Sequence, residues 1–275
     1  MKERDLRPAA VAGQFYPGSS RALSELVDGF FAEVQAEPQS VRAVIAPHAG
    51  LVYSGACAAQ VFGRVQIPPV VVILSPNHTG RVSAPGGASA WSRGGFETPL
   101  GTVAIATEFA EKLEERCALV THDPSAHWGE HAVEVELPFL LKRSPQSAIV
   151  PIVLAWEDWE RCKQLADGLA GLVAEWPEQV LLVASSDMTH FESAQRAAAK
   201  DRIALAAVER LDGEELLRAC VREHITMCGR APAAVVVEAA RQLGATRAEL
   251  VDYRHSGWVT GDDSSVVAYA GVVIQ

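Results

Sequence analysis

At 275 residues, 49% hydrophobic and 21% charged, the chain is long enough to bury a sizeable core and too evenly mixed for extensive disorder. Its net charge of −10 and pI of about 5.3 argue against a nucleic-acid partner, which needs a basic stripe. No apolar run reaches the roughly 18–20 residues that cross a bilayer, and the charged start at residues 1–8 is not a signal peptide, so a cytoplasmic protein without a membrane partner is expected.

In chain order, the spacing of apolar residues predicts a helix over 19–36, with Ser19 or Ser20 as N-cap, a strand over 41–46, a helix over 54–64 and a strand over 70–75. The Gly/Pro-rich stretch 80–101, carrying Trp91, Arg93, Phe96 and Glu97, reads as a long loop, a lid or an excursion. A strand over 102–106 and helices over 107–116 and 130–142 follow, then a strand over 148–154, a helix over 157–174 and a strand over 180–185. Helices over 191–210, 213–222 and 230–243 precede strands over 248–252 and 265–274, the last of them antiparallel at an edge. Strands alternating with helices in this way predict an α/β fold, a sandwich around a mostly parallel sheet, and the lack of a linker keeps residues 1–275 as one domain.

Three of the strand runs end in polar turns bearing His48, His78, and Asp187 with His190. Ligands of α/β sheets bind beyond the carboxyl ends of the strands, so these side chains are expected to converge. Imidazoles beside a carboxylate point to a metal, to acid–base chemistry, or to both. Each histidine is equally a candidate to cap its own turn. Asp187 and His190, three residues apart, could meet on one helical turn, or Asp187 could cap the helix beginning near 190. The five cysteines (57, 117, 162, 220 and 228) form no CxxC pair. Cys228 precedes an apolar helix near Arg230, which should lower its pKa, although a buried inert thiol is the alternative. In the segment from Glu130 to Pro138, a helix would put Glu130 and Glu134 on one face. One carboxylate there is a candidate partner for a ligating imidazole, and Glu134 and Glu136 also fit a solvated acidic face. His122, His127, His224 and His255 lack a strand-end context and receive no role.

The segments Ala12-Gly-Gln-Phe-Tyr-Pro-Gly, Ala46-Pro-His-Ala-Gly, Ser75-Pro-Asn-His-Thr-Gly, Gly129-Glu-His-Ala-Val-Glu-Val-Glu-Leu-Pro-Phe, Ser185-Ser-Asp-Met-Thr-His, Met227-Cys-Gly-Arg and Asp263-Ser-Ser-Val, in this order, resemble the Memo family, including the B component of the AmmeMemoRadiSam system encoded beside a radical-SAM protein. Leu51 departs from the aromatic residue usual in the family. The resemblance implies a three-layer α/β/α fold similar to class III extradiol dioxygenases. It implies a metal, Fe(II) foremost with copper or zinc as alternatives, held by His48, His78 and Cys228, with Asp187 and His190 as pocket residues and His190 as the acid–base histidine. It also implies redox activity, a functional link to a radical-SAM protein, and, from eukaryotic members, phosphopeptide binding. Three functions follow as expectations: a metal-dependent oxidoreductase, a non-catalytic module binding a peptide or small ligand, and a nucleophilic hydrolase using Cys228, His190 and Asp187.

Overall fold

The computed structural model describes residues 5–275. Its elements run β1 (Leu6–Arg7), α1 (Ser20–Ala32), β2 (Ala43–Ala46), α2 (Leu51–Phe62), β3 (Val70–Pro76), β4 (Ala88–Ala90), β5 (Gly95–Thr98), β6 (Gly101–Ala104), α3 (Thr107–Arg116), β7 (Val120–His122), α4 (Leu137–Arg143), β8 (Ala148–Leu154), α5 (Trp159–Glu175), β9 (Val180–Ser185), β10 (His190–Glu192), α6 (Ala194–Glu209), α7 (Gly213–Arg222), α8 (Arg230–Gln242), β11 (Ala248–His255), α9 (Gly257–Thr260) and β12 (Val266–Ile274). Strands β2, β9, β3 and β8 lie side by side and parallel; β12 runs antiparallel to β2 as expected but not at an edge, because β11 pairs along its other side, and β4 and β7 complete the opposite flank.

The Val/Ile/Leu runs are buried on both faces, as continuous apolar strands require. Val72, Leu74, Leu182 and Ala184 pack on one core with α3, α5, α6, α7 and α8. Val71, Ile73, Leu181 and Val183 pack on the other with α1, α2 and α4. The result is the expected three-layer sandwich. Each fully buried Val, Leu or Ile stabilises it by about 1.5–3 kcal/mol. Capping follows the chemistry of the ends: Ser19, Asp158, Ser193 and Asp212 each accept a backbone N–H at a helix start.

Three further expectations are corrected. Residues 80–101 are not one irregular loop: β4 is inserted between β8 and β7, and β5 joins β1 and β6 in a separate three-stranded sheet that also takes the predicted strand over 102–106. The small residues of β4 show no period-two alternation because all three are buried. The helix expected over 130–142 begins with a 3₁₀ turn at Glu134–Glu136 and becomes α-helical only at Leu137, because the Glu130 carboxylate draws the N–H groups of His131 and Ala132 onto itself. The helix expected from 191 starts at Ala194, capped by Ser193, while His190–Glu192 pairs with β12.

Candidate metal centre

Because β2, β9 and β3 are neighbours and parallel, the turns after them leave the same sheet edge. His48, on the turn between β2 and α2, is 1% exposed. The Asp187 carboxylate, beyond β9, accepts the N–H groups of His48 (2.9 Å) and Ala49 (3.3 Å) and so ties the two turns together. The Nδ1 of His48 lies 2.8 Å from Ser185 Oγ. His78, beyond β3, gives its backbone N–H to Glu130 Oε2 (2.6 Å), and its Nδ1 lies 2.9 Å from Glu130 Oε1. With Nδ1 engaged, each ring keeps Nε2 for a ligand.

A third imidazole completes the group. His131 lies against His78 with ring centroids 4.5 Å apart and is 5.4 Å from His48. One ring nitrogen from each of His48, His78 and His131 falls within 4.8 Å of the others, so these three residues could hold a metal ion. His131 is not among the candidates in the sequence: its segment stands out for its carboxylates, and only its adjacency to Glu130 carries a signal. Cys228 arrives from the turn before α8. Its Sγ is 3.4 Å from His48 Nε2 and accepts the Asp187 N–H at 3.3 Å.

Burial, followed by the neighbouring imidazoles His78, His131 and His190, holds His48 well below the usual histidine range. Burial also brings His131 down to about 4. Both rings are thus kept in the neutral form that ligates. Burial alone would raise Glu130, yet the hydrogen bond and charge of His78, with the Ala132 N–H, carry it below the carboxylate range. Asp187 is raised by burial to about 6 against the pull of the His48 N–H. The lowered thiol pKa expected at Cys228 is not found: burial and then the Asp187 charge push it up, and Arg230 is paired with Glu157 instead.

His190 lines the same cavity, but its Nδ1 faces the Thr226 carbonyl at 3.0 Å rather than Asp187, and its N–H goes to Thr226 Oγ1. Asp187 therefore neither orients His190 nor caps α6, and the nearest imidazole to Cys228 is His48. A Cys228–His190–Asp187 triad is not assembled. The carboxylate partner of an imidazole is Glu130. Glu134 and Glu136, read as a solvated face, are fully buried.

Two cavities reach the centre. One, of about 480 Å³, is lined by Phe15, Tyr53, His131 and His190 together with His48 and His78. The other, of about 440 Å³, lies across His78 and is lined by Val82, Leu154, Trp156 and Cys228.

The sequence matches the family described as Memo-like protein over residues 7–273. The chain belongs to the Memo family. A MEMO1 family protein of Aquifex aeolicus is 42% identical over 272 residues, 98% of both chains. A MEMO1 family protein of Methanopyrus kandleri is 36% identical over 282 residues, covering 98% of this chain and 99% of the relative. The crystal structure of an uncharacterized protein from Escherichia coli K12 superposes with a TM-score of 0.54 at 16% identity, over 84% of this chain and 99% of the other, which shows a shared fold. None of the helices among the described residues is long and apolar enough to cross a membrane.

Proposed function

We propose that this Memo family protein is a metal-dependent oxidoreductase with a non-haem Fe(II) or copper centre. The observation that carries the reading is the convergence of His48, His78 and His131 at the sheet edge, with the backs of His48 and His78 already engaged. The donor set fits a transition metal: neutral imidazoles suit iron, copper and zinc, and the Cys228 thiol, beside His48 Nε2, adds a soft ligand once deprotonated. His48 and His78 would hold the ion, with Cys228 or His131 as a further ligand. The metal, when bound, supplies redox chemistry toward oxygen or substrate.

The chain's own residues then have separate tasks. Glu130 and Ser185 orient the imidazoles, and Phe15 and Tyr53 wall the cavity. His190, with Nδ1 held by Thr226, presents Nε2 to move a proton to or from a bound molecule. The substrate class, a small molecule or a peptide, and a functional link to a radical-SAM protein stay part of the same proposal.

The test is metal content by mass spectrometry after anaerobic preparation and competition among Fe(II), Cu(I) and Zn(II), beside His48→Ala and Cys228→Ala variants. About one equivalent of iron or copper in the parent, lost in both variants, is expected. Full retention in the variants, or preference for zinc alone, would refute the reading.

A further inference from the structure

Ser185, the last residue of β9, offers one hydroxyl to three neighbours. Its Oγ lies 2.8 Å from the Ala132 carbonyl, 2.8 Å from Glu136 Oε1 and 2.8 Å from His48 Nδ1. A hydroxyl has one hydrogen to donate and two lone pairs to accept with. The Ala132 carbonyl can only accept, so the Ser185 hydrogen belongs to it. Any other choice sets two oxygen lone pairs against each other in a dry interior. The remaining contacts are then bonds that Ser185 accepts. Glu136 can donate one only as a neutral acid, and His48 only with its proton on Nδ1.

We propose that Ser185 and Glu136 are positioning residues that lock the tautomer of His48. Glu136, as a neutral acid, and the Ser185 hydroxyl hold the imidazole protonated on Nδ1, with the Nε2 lone pair aimed at the centre. The surroundings of Glu136 agree. It is fully buried, and its Oε2 meets no hydrogen-bond donor among the described residues. That is tolerable for the carbonyl oxygen of an acid and very costly for a carboxylate. Burial, against the pull of the Ser185 hydrogen bond and with the Asp187 charge, keeps the group well above the usual carboxylate range. An ionised Glu136 would take the Ser185 hydrogen for itself and leave the Ala132 carbonyl facing a Ser185 lone pair. The two strand-end imidazoles thus have unlike backing: His78 leans on an anion, Glu130, and His48 on an uncharged hydroxyl. The lock depends on the proposed function for its purpose, not for its existence.

The test uses metal-free protein labelled with ¹⁵N-histidine, the His48 resonances being assigned by their loss in His48→Gln. Protonation of Nδ1 is expected in the parent and in Glu136→Gln, whose amide N–H replaces the acid as donor. Mixed tautomers are expected in Ser185→Ala, with zinc affinity lower by about 10–100-fold. The infrared spectrum at neutral pH should contain the carbonyl band of a neutral carboxylic acid, absent from Glu136→Gln. A proton on Nε2 in the parent, or an unchanged infrared spectrum in Glu136→Gln, would overturn the proposal. So would unchanged tautomer and zinc affinity in Ser185→Ala. Should the parent bind no metal at all, the oxidoreductase reading falls, while the tautomer and the infrared band still decide the lock.

Discussion

Replacing Glu134 by Gln removes one charge from the interior without leaving a hole. Four donors converge on this carboxylate from the segment preceding α1. Oε2 accepts Arg7 Nη1 at 2.5 Å and the Ala10 N–H at 2.8 Å, and Oε1 accepts the Val11 N–H at 3.0 Å and the Tyr16 hydroxyl at 2.5 Å. Arg7 is 1% exposed and Glu134 not at all, so water cannot substitute for either partner. The least costly placement of the amide keeps its oxygen toward Arg7 and Ala10 and lets the Tyr16 hydroxyl rotate to accept. The Val11 N–H is left against an N–H₂ group, and the guanidinium has no counter-charge. Breaking a buried pair from one side costs about 3–5 kcal/mol, a large part of the roughly 5–15 kcal/mol that holds a protein folded. With a urea slope of about 3 kcal/mol/M, the unfolding midpoint should fall by more than about 1 M at unchanged slope. Phe15 rides on the same segment with its ring 4.6 Å from that of His131, so the cavity wall should loosen as well. A midpoint within about 0.3 M of the parent would show that Arg7 finds solvent, and the reasoning would be wrong.

Glu130→Gln should weaken zinc binding by about 10–100-fold in isothermal titration, because the anion that orients His78 is gone; unchanged affinity would remove Glu130 from the centre. His127, fully buried with its Nε2 on the Ser89 carbonyl, is pushed by burial down to about 4 from a reference value of 6.5. Its folded pKa is depressed, so its contribution is present above pH 6.5 and lost as pH falls toward 4, roughly 2.5 units or about 3 kcal/mol. Stability measured across that window should decline less steeply in His127→Gln, and equal slopes would contradict the assignment. Gly229→Ala would set a Cβ 2.4 Å from the Ser185 carbonyl and 2.5 Å from Ser186 Cβ. The backbone before α8 must move, at about 1–3 kcal/mol, and carry Cys228 away from His48. A melting temperature and metal content equal to the parent's would count against this close packing.

The sheet was legible because its strands are buried on both faces, and a run such as Val70-Val-Val-Ile-Leu has few other places to go. His48 and His78 were legible for the same reason: a turn at the end of a rigid strand fixes where its side chain emerges. β4 was not, since Ala88-Ser-Ala carries no alternation and is held by the strands on either side. His131 and Glu130 were half legible. Their types were visible, but the local pattern predicted a helix, and the actual bend exists because one carboxylate collects the N–H groups of His78, His131 and Ala132. The Asp187–His190 pairing failed because sequence proximity favoured it, whereas the competing acceptor, the Thr226 carbonyl, comes from 36 residues away. The thiol of Cys228 failed on burial, which position along a helix does not reveal.

The cavities on either side of His78 give the centre two doors. A compound seated among Phe15, Tyr53 and His190 leaves the path past Trp156 and Val82 open. Small-molecule ligands should therefore sort into two families, competitive within a family and able to bind together across families.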